Sequence, residues 1–362
     1  MRVLVTGATG RVGANLVDRL VSSGVTVRAF VRPDSPHRAK LAAFPGVEIA
    51  DGDLRDTEAI EDACRDVTHV AHLAARMTLG DGPVDDFYDL NAFSTLRLLE
   101  GVIRQAPGLR RFVLASTDST YRPGAPVAVP LTEDVPQEPA DYYGTSKLLG
   151  ELILRNRAAQ FDLPFSIVRY GTVLSPEEAD NLYRLGFLRG WLRAQQSAGR
   201  RSTLWPLFEG RPDLAAIVDA ATPGEPPDTA AGFIGPDGPW TLSAVDVRDA
   251  AEATILALTE PGAVGRAFNI VAAEPITADA GAAAVAETFG VPKVLVPLPF
   301  TWRLELSIDA ARAHLGYRPA YDYRATVEAG LATNLPPADR FVPAAEGADG
   351  VLAALSGGNA RG

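Results

Sequence analysis

The chain is poor in the residues that most often announce chemistry. It has one cysteine, Cys64, four histidines, and only three lysines among 34 basic residues. A single cysteine allows no intrachain disulfide and no cysteine-based zinc site. His37, His69, His72 and His314 show no HExxH or similar spacing, and no metal ligand set is expected. His69 and His72 lie in an apolar run and read as strand residues. No run approaches the ~18 apolar residues of a membrane span. "RVLVTGATG" reads as strand and turn from residue 2, not as a signal peptide. The expected setting is the cytosol. Positive charge is also short: a formal net charge of −11 disfavours a nucleic-acid or anionic-membrane surface. A small molecule and a possible second copy of the chain are the expected partners.

Short apolar strands alternate with helices six times through residue 173. "MRVLVTG" is followed by "RVGANLVDRLVSSG", whose Val12, Leu16, Val17, Leu20 and Val21 fall at helical spacing. "VTVRAFVR", "GVEIADGDL", "VTHVAHLAA", "LRRFVLAST" and "PFSIVRYGTV" are the later strands, and "DFYDLNAFSTLRLLEGVIRQA" and "ADYYGTSKLLGELILRNRAAQ" are the long helices. Such alternation predicts an α/β fold: a doubly wound parallel Rossmann sheet. Residues 174–245 break the pattern with Pro- and Gly-rich stretches and one arginine-rich helix. "DVRDAAEATILALT" and "GRAFNIV" restore a helix and a strand. The expected division is a dinucleotide-binding domain over 1–173, rejoined by 246–272. A smaller substrate-binding cap covers 174–245 and 273–333, and 334–362 form a weakly structured tail.

The first turn, "TGATGRVG", places Gly7, Gly10 and Gly13 between a strand and a helix, with Arg11 and Val12 among them. That context suits a pyrophosphate on the helix N-terminus. The second strand ends at Arg32, where NAD enzymes usually carry an acid. A cation there favours the 2′-phosphate of NADP, with NAD as the alternative. Arg11, Arg38 and Lys40 offer further positive charge. Asp53, followed by Leu54 in "DGDL", suits the adenine amino group or a plain turn.

Tyr143 and Lys147 stand at i and i+4 on one helix, so both project from one face. A free phenol titrates near ~10. A nearby ammonium lowers that value and lets tyrosine exchange a proton with a substrate oxygen. With 9 tyrosines and 3 lysines in 362 positions, roughly 0.07 such pairs are expected by chance. Thr117, at the end of "LRRFVLAST", adds a hydroxyl at the edge where parallel sheets bind ligands. Ser116, Asp118 and Ser119 flank it.

These residues resemble the extended short-chain dehydrogenase/reductase family, also called the NAD-dependent epimerase/dehydratase family. The match rests on "TGATGRVG", "GDL", "HLAA", Asn91, "AST", "YGTSK", "VRYGTV", "DVRDAAEA" and "AFNIV" over roughly 1–330. The resemblance implies that Tyr143 is the general acid/base. It makes Lys147 the residue that holds the nicotinamide ribose, and Thr117 a donor to the reacting oxygen. It implies that Leu73, Ala74 and Ala75 line the cofactor, that Tyr170 and Val173 close over the nicotinamide, and that Asn91 supports a helix kink. Ser119 stands where sugar-nucleotide dehydratases carry glutamate, and Thr172 where sugar-nucleotide epimerases carry asparagine. The expected activity is therefore hydride transfer at a carbonyl or secondary alcohol. The alternatives are an epimerase for nucleotide sugars and a dinucleotide sensor without chemistry. The epimerase would use Arg200, Arg201 and Arg211 for the diphosphate. Trp191, Trp205, Phe208 and Trp240 read either as pocket walls or as core.

Overall fold

The computed structural model of the chain describes residues 1–77, 83–124 and 129–344. Seven strands form its central sheet: β1 (Arg2–Thr6), β2 (Thr26–Val31), β3 (Glu48–Asp51), β4 (His69–His72), β5 (Arg111–Thr117), β6 (Phe165–Tyr170) and β7 (Arg266–Ile270). Their order is β7-β6-β5-β4-β1-β2-β3 and every pair is parallel. The order reverses direction between β1 and β4, where Thr6 stands opposite His72. Open α/β sheets bind ligands in the crevice at such a point, outside the carboxyl ends of the strands.

Strands β4 and β5 are buried along their whole length. Full burial requires cover on both faces, which explains their unbroken apolar runs. On one face, α1 (Arg11–Ser22) packs Leu16, Val17 and Leu20 with the helix Val247–Thr259 over Val3 and Val5. On the other lie α2 (Thr57–Cys64), α3 and α4 (Tyr142–Phe161), over Leu4, Val70, Phe112 and Leu114. Helix α3 is built from Asp85–Tyr88, a π-helical turn Asp89–Phe93, and Ser94–Gln105.

A separate apolar cluster gathers the second half of the chain. It joins helices Leu185–Ala198, Leu214–Ala221 and Ala278–Phe289 to a small sheet. In that sheet Ala230–Gly235 pairs in parallel with Lys293–Pro297. The strand Ala230–Gly235 lies in "DTAAGFIGPDGP", where composition suggests only loop. Its glycines serve packing: a Cβ on Gly232 would meet the Ala278 carbonyl oxygen at 2.3 Å, and one on Gly235 the Phe300 oxygen at 2.4 Å.

The segment after residue 333 is held at several points through Ala344. Asn15 donates to the Val342 carbonyl (3.0 Å) and accepts from its amide (2.8 Å). Tyr321 and Arg248 hold Asp339 through its carboxylate and carbonyl. The chain through Ala344 is thus pinned beside the N-terminus of α1; residues 345–362 lie outside the described residues. No helix among the described residues is long and apolar enough to cross a membrane.

Candidate active site

A cavity of about 990 Å³ opens at the carboxyl edge of the sheet and runs into the second half of the chain. All of the expected cofactor residues border it: Gly7, Gly10, Arg11, Val12, Gly13, Arg32, Asp53, Leu54, Leu73, Ala74, Ala75, Tyr143, Lys147, Tyr170 and Val173. Thr117 borders it too.

The glycine turn is shaped for close backbone approach. Gly7 has φ +69°, and a Cβ there would stand 2.7 Å from the Ala74 nitrogen. A Cβ on Gly13 would lie 2.0 Å from the Gly7 carbonyl oxygen. Either side chain would push the turn apart. Gly10 caps α1 with no side-chain hydrogen bond. The first amides of α1 therefore face the cavity without a side chain over them, as an incoming phosphate requires. These residues fit a dinucleotide.

The four cations expected to favour a 2′-phosphate part company. Arg11 pairs with Glu178 and donates to the Val173 carbonyl at 3.2 Å. Arg38 pairs with Asp51. Lys40 donates to the Pro343 carbonyl at 2.9 Å. Arg32 alone keeps its guanidinium largely in solvent at the end of β2, 4.0 Å from Asp34. Asp53 accepts from the Arg55 amide (2.8 Å), so it closes a turn while bordering the cavity.

The YxxxK pair sits where the helical spacing puts it. Asp141 caps α4 by accepting from the Gly144 amide at 2.8 Å. One turn later Lys147 is buried at 3 % exposure. Burial pulls its ammonium down to about 8, with the Glu151 charge opposing. Tyr143 stands one turn before Lys147 and borders the same cavity. Its phenol is pushed up, chiefly by burial and then by the Asp118 carboxylate, with the Thr117 hydroxyl pulling the other way. The charge that acts most on the phenol here is the negative one of Asp118.

Asp118, which flanks Thr117 in the sequence, also belongs to this corner. Burial pushes its carboxyl up to about 6, against hydrogen bonds from Thr117 and Ser119. Thr117 Oγ1 donates to Asp118 Oδ1 (3.1 Å) and accepts from the Ser119 amide (3.1 Å). Tyr170 borders the cavity but turns its hydroxyl to Thr254 Oγ1 at 2.5 Å, anchoring β6 to the helix beneath. Gly171 follows because a Cβ there would meet the Ser243 carbonyl at 2.6 Å.

Support for the pair comes from a buried polar network that spacing alone did not reveal. Glu151, one turn beyond Lys147, takes both carboxylate oxygens to Arg169 (3.0 and 2.7 Å) and accepts from Ser116 (2.6 Å). Arg169 also donates to Tyr121 (2.9 Å), which donates to Asn269 (2.8 Å). The signal was present: an arginine inside the apolar strand "FSIVRY" must find a buried partner. Asn91 sits in the π-helical turn, as a kink residue would. It donates to Ser146 (2.8 Å) and exchanges bonds with the Arg76 backbone. His69 and His72 are buried strand residues; His72 Nδ1 bonds Thr6 Oγ1 at 2.7 Å.

The far end of the cavity is apolar. Trp191 and Trp240 form part of its wall, joined by Trp302, which was not anticipated, while Trp205 and Phe208 stand outside it. Of the three arginines expected for a diphosphate, only Arg201 borders it. Arg200 pairs with Glu209, and Arg211 lies 3.8 Å over the Phe300 ring.

The chain matches the model of the NAD dependent epimerase/dehydratase family over residues 3–271. It is 30% identical to the UDP-glucose 4-epimerase of Azospirillum brasilense over 265 residues, 71% of this chain and 68% of that one. It is 43% identical to sterol demethylase protein B of Methylococcus capsulatus over 119 residues, 32% of this chain and 34% of that one. Alignments with further UDP-glucose 4-epimerases span about half of those proteins. A short-chain dehydrogenase/reductase superfamily protein from Agrobacterium tumefaciens, solved with bound NAD, superposes with a TM-score of 0.75 at 29% identity, covering 91% of this chain and 96% of that one.

Proposed function

We propose that this chain, which belongs to the NAD dependent epimerase/dehydratase family, transfers hydride at a carbonyl or secondary alcohol with Tyr143 as proton carrier. The observation that carries the reading is that Thr117, Tyr143 and Lys147 border the same cavity as the glycine turn. A nicotinamide dinucleotide, when bound, supplies or accepts the hydride. The chain's own part is to hold the reacting oxygen and move one proton. Thr117 donates to that oxygen. Tyr143 gives it a proton in reduction and takes one in oxidation. Lys147 binds the ribose side of the cofactor and brings a positive charge toward the phenol once the site is filled. Gly7, Gly10 and Gly13 admit the pyrophosphate, and Arg32 is the residue placed for a 2′-phosphate. NADP therefore rests on Arg32 alone, and NAD remains the other choice. We assign dinucleotide binding to residues 1–173 with 246–272, and substrate selection to 174–245 and 273–333.

A second reading is supported by the relatives. The Azospirillum protein is named an epimerase, and epimerisation of a nucleotide sugar would use the same tyrosine without net consumption of cofactor. Tyr143→Phe decides whether the site does chemistry at all. The variant is expected to keep its affinity for dinucleotide and to lose about 10²–10⁴ in kcat, the usual worth of a general acid/base. Full activity in that variant would falsify the assignment. Net oxidation of NAD(P)H in the wild-type protein separates reductase from epimerase.

We also propose that α3 and α4 meet their counterparts in a second copy. Helix α4 buries Ser146, Lys147 and Glu151 and exposes Leu149 and Leu152, and Phe93 is exposed on α3. Apolar residues gathered on one outward face fit a like surface.

A further inference from the structure

We propose that the substrate is a bulky, uncharged ring compound, an alicyclic or aromatic alcohol or ketone, and not a nucleotide sugar. This inference rests on the hydride-transfer reading and names the substrate for the same site. Its basis is the wall of the cavity beyond Tyr143. Leu188, Trp191, Leu204, Phe233, Trp240 and Trp302 line it. Trp191 and Trp302 stack at 6.2 Å with 15° between their planes, and Trp240 meets Trp302 edge-on at 5.6 Å. Trp240 commits its Nε1 to the Phe300 carbonyl at 2.8 Å, so its polar edge is turned into the protein. The flat, rigid rings leave carbon surface for a ligand of like shape, and Trp302 Nε1, buried without a partner, is a single neutral donor that an alcohol or ketone oxygen can satisfy.

Charge argues the same way. A nucleotide diphosphate brings two negative charges that need cations or a helix N-terminus in place of water. Among the described residues after 173 that border the cavity, Arg201 is the single charged one, and it is exposed. Thr241, which also borders it, gives its hydroxyl to Glu305 at 3.0 Å. Apart from Arg201 the described lining after residue 173 offers a pyrophosphate no cation, whereas an uncharged ring system loses no hydration of charge on entering.

All four tryptophans of the chain, Trp191, Trp205, Trp240 and Trp302, belong to this second half. Intrinsic fluorescence therefore reports occupancy there without any turnover. With oxidised NAD or NADP present, the protein is titrated with 1-decalone, an uncharged bicyclic ketone, and separately with UDP-glucose. The expected result is saturable quenching by 1-decalone and none by UDP-glucose. Trp191→Ala is expected to weaken the ketone at least tenfold. Leu204→Arg, at a half-buried position where a folding defect is less of a risk, should do the same, and Arg201→Ala should change nothing. Saturation by UDP-glucose, equal response to both probes, or response to neither overturns the proposal. If 1-decalone binds but is not reduced with NADH or NADPH, the substrate class stands and the hydride-transfer reading falls.

Discussion

The sheet half and the cap solve burial differently. Among the described residues, every buried lysine, arginine, aspartate or glutamate lies in the sheet half: Arg111, Lys147, Glu151, Arg169, Asp246, Arg248 and Asp249. The cap buries leucine, tryptophan and phenylalanine instead. A charge taken out of water must be met by a partner in one geometry, so it fixes orientation where chemistry needs it. An apolar wall fixes shape and little else. On the proposed function, the molecule thus separates the task of aligning a proton from the task of choosing what is presented to it.

The contrast is sharpest at Arg169. Its side chain is 2 % exposed and that of its partner Glu151 1 %. Arg169→Met leaves a buried carboxylate unpaired one turn from Lys147, and about 3–5 kcal/mol of unfolding free energy should be lost. Arg169→Met with Glu151→Leu should recover much of that. Leu192→Ala in the cap, at a site with no exposure, should cost about 2–5 kcal/mol through its cavity. The pH profile of turnover should move in the first variant and stay in place in the third. Urea melts and pH–rate curves read both. If Arg169→Met melts like wild type, the network is not what orders this half.

The next effect is on association. Leu152 is 53 % exposed on the outer face of α4. Leu152→Glu should raise the dissociation constant of a dimer at least tenfold while leaving the melting temperature of the monomer nearly unchanged. Sedimentation velocity over a concentration series measures this. A wild-type chain that sediments as a monomer at all concentrations removes the proposal.

What could be read in advance follows the same division. The alternation of strands and helices, the glycine turn and the YxxxK helix were legible because each obeys a local rule: apolar runs of strand length, a backbone turn without Cβ, a spacing of one helical turn. The Glu151–Arg169 link was harder, since its halves stand on different elements and only the misfit of an arginine in an apolar strand hinted at it. The strand Ala230–Gly235 was missed because Gly232 and Gly235 look like loop residues. They are small because other backbone passes over them, a fact of tertiary structure alone. Trp302 was missed as wall because nothing in "FTWRLEL" separates a lining ring from a core ring. The cap's purpose lies in its shape, and shape is the last thing a sequence yields.

The smallest predicted effect tests the electrostatics of the site itself. The Asp118 carboxylate pushes the Tyr143 phenol up. Asp118→Asn removes that charge, so the phenol should ionise more readily. For alcohol oxidation, which needs the phenolate, the rise of kcat/KM with pH should move to lower pH; for ketone reduction the fall should move the same way. Stability gives an independent reading. Asp118 is pushed up to about 6 from an ordinary value of 3.8. The folded chain therefore binds more protons than the unfolded one between those values, and stability drops as pH rises through that window. Asp118→Asn should accordingly gain melting temperature over wild type at pH 7 and not at pH 4. A pH–rate profile unmoved by the substitution would mean that the carboxylate does not act on the phenol, and that Thr117 and Lys147 set its acidity between them.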